Sequence, residues 1–255
     1  MKLHFSKYQG TGNDFILIDN RDNSFDPSAD QIVALCDRKF GIGADGLILV
    51  QNHDDLDYKM VYFNSDGTQS LCGNGSRCGF AFAQSLGIVD NHATFETTDG
   101  IHQIKEEGGL IHFQLFDVES LNQEGNDWYV DTGSPHYIKI VQDTESVNIV
   151  PEGRKIRNLP AYSRQNGTNV NFAQLLQDVV RIRTYERGVE DETLSCGTGA
   201  TAVAIVAGKL GQESPVKIET KGGNLFVAFD EEDGFFSNIW LAGPAEKVFE
   251  GTVSV

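Results

Sequence analysis

Two tetrapeptides carry the chemistry of this chain. Cys72-Gly73-Asn74-Gly75 and Cys196-Gly197-Thr198-Gly199 each open an apolar stretch, residues 79–83 and 200–207, that offers no polar face. A helix apolar on all sides is a buried helix. The turn that enters such a helix holds unpaired N–H groups and the positive end of its dipole. Glycines there let a ligand approach the backbone, and a carboxylate or phosphate suits the place. A cysteine at the same position has its pKa lowered toward neutrality. Two thiols, each beside an anion-binding helix end, suit one reaction: taking a proton from one face of a carbon and returning one to the other. The product is inverted at a carbon α to a carboxylate, and the helix N–H groups stabilise the charge that builds up as the proton leaves.

The elements around the two tetrapeptides recur in order. Each is preceded by a strand ending in an aromatic and a polar residue, Phe63-Asn64 and Tyr185-Glu186. Each is followed fourteen positions after its cysteine by Leu-Gly, Leu86-Gly87 and Leu210-Gly211. A strand containing Glu-Thr comes next, Glu96-Thr97 and Glu219-Thr220. A spacing near 124 residues is too long for a solenoid and reads as two related halves. Short β-branched runs at 15–18, 47–50, 58–63, 111–116, 179–185, 216–219 and 225–229 lie between Gly, Asp and Asn and predict strands. Ser28 to Lys39, after Asp26-Pro27, predicts a helix with Ile32, Val33, Leu35 and Cys36 apolar. The expected fold class is α+β, with two pseudo-symmetric halves, each a strand-rich sheet wrapped around a central buried helix. The active site is expected in the cleft between them. The polar stretch Asn122–Asp127 suggests the boundary, giving an N-terminal half over 1–120 with Cys72 and a C-terminal half over 121–255 with Cys196. The last strand is a candidate to pack on the N-terminal half.

Composition narrows the function. The 255 residues carry 20 Lys and Arg against 37 Asp and Glu, a net charge of −17. That sign argues against nucleic acid and against an anionic membrane surface, but not against a small anionic or zwitterionic ligand held locally. No apolar run reaches the ~18–20 residues that span a bilayer, and the first ten residues have no signal-peptide core. A cytoplasmic location is expected, and with it reduced thiols. No cysteine pair has CxxC spacing and the histidines lack ligand spacing, so no metal is expected. No lysine sits in a motif for a pyridoxal phosphate Schiff base, so no cofactor is expected. Cys36 and Cys78, within apolar helical faces, read as core.

With these residues in view, the chain resembles the diaminopimelate epimerase family over essentially its full length. The resemblance rests on Gly12-Asn13-Asp14-Phe15, Phe63-Asn64-Ser65-Asp66-Gly67, Cys72 through Cys78, Gly133-Ser134-Pro135-His136, Gly167-Thr168-Asn169-Val170, Tyr185-Glu186-Arg187-Gly188 and Cys196 through Gly199. It implies a two-base isomerase, independent of pyridoxal phosphate, that interconverts LL- and meso-diaminopimelate for lysine and cell-wall precursors. By the same resemblance Cys72 and Cys196 are the acid/base pair. Gly73, Asn74, Gly197 and Thr198 hold the reacting α-carboxylate and its surroundings. Asn13, Asn64, Asn169, Glu186 and Arg187 match further substrate contacts, and His136 and Glu186 match residues that adjust the thiol pKa values. Family members are often dimers, which makes a homodimer an expectation that no motif here encodes.

Three places depart from the family pattern: Gly46 where a Gln is common, Ser134 where Asn is common, and a loop over residues 188–193 that is one residue longer. They bear on the grip on the distal end of the substrate, not on the thiols. Two rival readings remain. One is another two-thiol racemase, of the proline racemase kind. The other is a non-catalytic amino-acid-binding protein.

Overall fold

The computed structural model describes residues 1–163 and 166–255. It is a mixed α+β fold, mostly strands, with seventeen strands and five helices among the described residues. The chain divides into two compact units, Met1–Phe113 with Gly243–Val255, and Gln114–Ala242.

The first unit contains β1 (Lys2–Gly10), β2 (Asn13–Asp19), α1 (Ala29–Cys36), β3 (Gly46–Gln51), β4 (Tyr58–Asn64), α2 (Gly73–Ser85), β5 (His92–Thr97), β6 (Gly100–Glu107) and β7 (Leu110–Gln114), and takes back the final strand of the chain, β17 (Glu246–Ser254). Its strands pair in the order β17-β1-β2-β3-β4-β5-β6-β7. The β2/β3 and β4/β5 pairs are parallel and the others antiparallel. β3 is apolar along its length because it is covered on both faces. Leu47 and Leu49 join the cluster that includes Ile32 and Leu35 of α1. Ile48, one step out of phase, turns to α2, where its Cδ1 comes within 3.4 Å of the place a Cβ on Gly75 would take. α2 is buried from Gly73 through Phe80, with the polar Asn74, Ser76 and Arg77 included.

The second unit contains β8 (Asn122–Glu124), β9 (Asp127–Asp131), β10 (Pro135–Ile140), α3 (Ile149–Arg157), α4 (Pro160–Ser163), β11 (Asn169–Leu175), β12 (Val180–Glu186), β13 (Asp191–Thr193), α5 (Gly197–Lys209), β14 (Val216–Thr220), β15 (Gly223–Glu232) and β16 (Phe235–Gly243). Its strands run β8-β9-β10-β11-β12-β14-β15-β16, with β13 pairing along part of β12. Here β10/β11 and β12/β14 are the parallel pairs. Val170 and Phe172 of β11 pack with Ile149 and Ile156 of α3, while α5 packs on strands β9–β12, β14 and β15. α5 is buried from Gly197 to Ala207.

Apart from α4 and β13, the strand pairings of the second unit follow the pattern of the first, with β10/β11 and β12/β14 parallel as β2/β3 and β4/β5 are, and some local details match. Lys59 of β4 pairs with Glu96 of β5 at 2.8 Å, and Arg181 of β12 pairs with Glu219 of β14 at 3.0 Å. Gly100 and Gly223, each opening the strand after a Glu-Thr turn, both have φ of 141°. Thr220 donates to the Gly223 carbonyl at 2.9 Å, whereas Thr97, 3.5 Å from the Gly100 carbonyl, gives its proton to the Asp99 carboxylate.

One local expectation is corrected. The first helix ends at Cys36 rather than Lys39, because the Asp37 carboxylate accepts from Lys39 N and Phe40 N at 2.7 Å and turns the chain out. The polar stretch Asn122–Asp127 forms the hairpin of β8 and β9, closed at Gly125 with φ of 66°.

Candidate active site

Each cysteine occupies the N-cap of its helix. Cys72 has φ −136° and ψ 106°, and its sulfur accepts from Gly75 N at 3.3 Å. The cap is thus closed by sulfur instead of the usual hydroxyl or carboxylate. Cys72 Sγ also lies 3.5 Å from Asn13 Oδ1. The sense of that contact is fixed by a chain of one-way partners. Arg77, which can only donate, gives to Asn74 Oδ1 at 2.8 Å, so Asn74 Nδ2 faces Asn13 Oδ1 at 3.3 Å. Asn13 Nδ2 in turn donates to the Asp45 carboxylate at 2.7 Å. Asn13 Oδ1 is therefore an acceptor, and Cys72 meets it as an S–H donor.

Behind Asn13 stands an ion network. Asp14 pairs with Lys7 at 2.7 Å and with Arg38 at 2.6 Å, and Arg38 also reaches Asp45 at 2.8 Å. Burial raises the Asp14 pKa, but Arg38 and Lys7 outweigh it and hold the carboxyl at about 2. Arg77 is fully buried, and among the described residues no carboxylate lies within ion-pair distance of it. It is satisfied by Gly73 O, Asn74 Oδ1 and Pro244 O, the last from the returning end of the chain. Burial brings its pKa down to about 10.

Cys196 has φ −123° and ψ 113°, and its Sγ lies 3.6 Å from Thr198 Oγ1. Thr198 Oγ1 meets His136 Nε2 at 2.9 Å and Ser134 Oγ at 3.2 Å, and Ser134 Oγ meets the same ring nitrogen at 2.9 Å. His136 is fully buried. Burial, with Arg187 nearby, lowers its pKa to about 3, so the ring is neutral at physiological pH. The ring reaches Cys196 through hydroxyls, as a neutral hydrogen-bonding group.

The other residues expected from the sequence fall beside one thiol or the other. Gly73 and Gly197 are the first residues of α2 and α5. Asn64 ties the turn before Cys72 through Thr68 at 3.0 Å and Ser70 at 3.2 Å. Asn169 is buried; its amide donates to Ser134 Oγ and Pro135 O, and its Oδ1 accepts from Arg187 N at 2.9 Å. Glu186 accepts from Thr193 Oγ1 at 2.7 Å. The Arg187 guanidinium makes no ion pair among the described residues and donates to Gly167 O at 3.5 Å. Cys36 and Cys78 are buried, and burial raises both thiols, Cys36 to about 11. None of the four cysteines is in a disulfide.

Four residues have no role in the sequence reading: Arg77, quoted only within the Cys72–Cys78 motif; Asp45, read only through its neighbour Gly46; Lys7, from an unremarkable first strand; and Asn171. The period-2 pattern could have found Asn171, since it puts an amide on the face of β11 that packs on α5.

Comparison with known proteins agrees over both units. The family model for diaminopimelate epimerase matches residues 5–114 and 128–248. A diaminopimelate epimerase of Flavobacterium psychrophilum is 49% identical over 99% of this chain and 100% of its own length. Those of Aquifex aeolicus and Chlorobaculum tepidum are 40% and 41% identical, over 99% and 96% of this chain and 98% and 99% of their own lengths. The chain belongs to the diaminopimelate epimerase family. Its fold extends to distant structures. A phenazine biosynthesis protein of the PhzF family from Bacillus anthracis superposes with a TM-score of 0.79 at 17% identity, covering 100% of both chains. A hydroxyproline epimerase from Agrobacterium vitis does so at 0.68 and 12%, covering 99% of this chain and 92% of that one. Among the described residues no helix is long and apolar enough to cross a membrane, and no three His, Cys, Asp or Glu side chains group as metal ligands.

Proposed function

We propose that the chain is a diaminopimelate epimerase, an isomerase of lysine biosynthesis, that works by proton transfer between two thiols. The observation that carries the mechanism is the pair of helix-capping cysteines at matching places in the element order of the two units. The reading requires Cys72 and Cys196 to address one α-carbon from opposite faces. One sulfur, as thiolate, takes the α-proton and becomes a thiol. The other, as thiol, gives its proton to the opposite face and becomes a thiolate. Charge is conserved: the two sulfurs exchange protonation states in each turnover, a proton returns between them through solvent before the same direction runs again, and they exchange roles of base and acid with reaction direction. The carbanionic charge passes into the α-carboxylate, which the first N–H groups of α2 and α5 are suited to hold. Such proton transfer needs no cofactor.

In this reading the two units are repeats of one arrangement, and their shared strand order, ion pair and glycine turns support it. Asn13 and Asn74 beside Cys72, and Asn169, Glu186 and Arg187 in the second unit, orient the substrate. Arg187, which makes no ion pair among the described residues, is suited to grip a carboxylate of the substrate. The thiols fit a reducing, cytoplasmic setting.

The test is exchange of the substrate α-proton with solvent deuterium together with epimerisation of LL-diaminopimelate. Cys72→Ser and Cys196→Ser should each lower epimerisation at least 10²–10⁴-fold, the range of a general base. A single variant at near wild-type rate would remove that residue from the mechanism. Turnover of proline or hydroxyproline in preference to diaminopimelate would favour a proline racemase-like enzyme. Binding without proton exchange would favour a binding protein.

A further inference from the structure

We propose that Asn171 is a positioning residue that fixes the tautomer of His136 and so aims a line of hydroxyl hydrogen bonds at Cys196. The inference deepens the two-thiol reading and rests on it.

Asn171 is fully buried in β11, on the face that packs on α5. Its orientation is set by unambiguous partners. Tyr137 O, 3.2 Å from Nδ2, can only accept, so Nδ2 faces it and Oδ1 accepts from Thr184 Oγ1 at 2.9 Å. The same Nδ2 lies 3.1 Å from His136 Nδ1. A ring nitrogen that faces an N–H donor must carry a lone pair. A neutral imidazole then has its one proton on Nε2.

Nε2–H points at Ser134 Oγ and Thr198 Oγ1, both at 2.9 Å. Ser134 Oγ also receives Asn169 Nδ2 at 3.3 Å, whose sense is set by Pro135 O and Arg187 N. With two donors aimed at its oxygen, the Ser134 hydroxyl gives its own proton to Thr198 Oγ1, 3.2 Å away. Thr198 then gives its proton to the remaining partner, Cys196 Sγ at 3.6 Å. Each step runs one way, from Asn171 through His136, Ser134 and Thr198 to the sulfur. A hydrogen bond received by sulfur stabilises thiolate over thiol. Space supports the arrangement: a Cβ on Gly199 would stand 2.6 Å from Asn171 Oδ1 and 3.3 Å from His136 Cε1, so only glycine leaves room for the amide beneath the helix.

The opposite tautomer would reverse the line. With the proton on Nδ1, Nε2 would accept from Ser134 or Thr198, and the hydroxyl proton aimed at Cys196 would be withdrawn. Asn171→Asp should do this, since a carboxylate accepts from Nδ1–H as in a catalytic triad.

The experiment combines 15N NMR of histidine-labelled protein at pH 8 with the pH dependence of iodoacetamide alkylation at Cys196, followed by mass spectrometry in the Cys72→Ser background. In the chain with Asn171 intact, His136 should show an unprotonated Nδ1 and a protonated Nε2. Asn171→Asp should move the proton to Nδ1, shift the alkylation midpoint of Cys196 upward and slow alkylation at pH 7 about 10- to 100-fold, the effect of losing one hydrogen bond to an anion. A protonated Nδ1 with Asn171 intact would overturn the proposal without any variant. So would an unmoved Cys196 midpoint in a folded Asn171→Asp protein. Neither readout uses diaminopimelate, so failure of the activity and failure of this proposal are distinguishable.

Discussion

At the scale of single residues, the two thiols sit in unlike surroundings despite their matched sequence. Cys72 meets the carbonyl oxygen of an amide whose orientation Asp45 and Arg77 enforce, whereas Cys196 meets a hydroxyl. His136 matters here as a neutral group, and its neutrality links the site to stability. Unfolded, a histidine titrates near 6.5; folded, His136 titrates at about 3 because burial and Arg187 disfavour its charge. A depressed folded pKa gives stability that is present above the unfolded value and is lost as pH falls toward the folded one. Between pH 7 and pH 4 this group alone should remove up to about 3 kcal/mol. The Asp14 carboxylate, held at about 2, withdraws its contribution only below about pH 4, so the two windows separate. Chemical denaturation at pH 7 and pH 4 should show the loss, and His136→Gln should shrink it markedly. An equal loss in the variant would assign the acid sensitivity elsewhere.

At the scale of elements, the helices after Cys72 and Cys196 and the strands flanking them were legible, because all-round apolarity and period-2 alternation report burial directly. Residues whose role depends on a distant partner were not. Arg77 sits inside α2 on the strength of Pro244, 167 positions away, and nothing local announces that carbonyl. The end of α1 was misread because a side chain, Asp37, and not a backbone preference, stops it. Gly46 shows the same limit from the other side. The sequence marks it only as a departure from the family pattern, and the packing explains it. A Cβ there would stand 2.4 Å from the Tyr62 ring and 2.5 Å from Phe63 O on the paired strand β4. The ring could turn, but the carbonyl belongs to the sheet and cannot. Gly46→Ala should therefore cost about 1–3 kcal/mol, a fall in Tm of several degrees, and Gly46→Gln more. Thermal melts that leave either variant at the wild-type Tm would show that β3 and β4 yield at this point.

At the scale of the molecule, the first unit is not complete until the last residues of the chain have returned to it. β17 pairs with β1 from Lys2↔Ser254 to Gln9↔Glu246, with a register shift between Lys7 and Tyr8. Phe249 meets Phe5 edge-on at 5.8 Å, and Val253 packs against the cluster that holds Phe5, Ile18 and Leu49. Pro244, just before β17, supplies one of the three acceptors that satisfy Arg77 behind Cys72. Removing residues 243–255 would leave β1 an open edge, expose Phe5 and strip an acceptor from a buried guanidinium, which together cost more than the few kcal/mol by which a domain is stable. The second unit, Gln114–Ala242, contains none of the deleted residues. A chain ending at Ala242 should accordingly lose amide hydrogen-exchange protection in β1, β2 and α2 while α5 and β14–β16 keep theirs, because protection follows local units of cooperativity. Uniform loss across both units would mean that the chain folds as one cooperative block. Retained protection in β1 and α2 would mean that the first unit closes without its final strand.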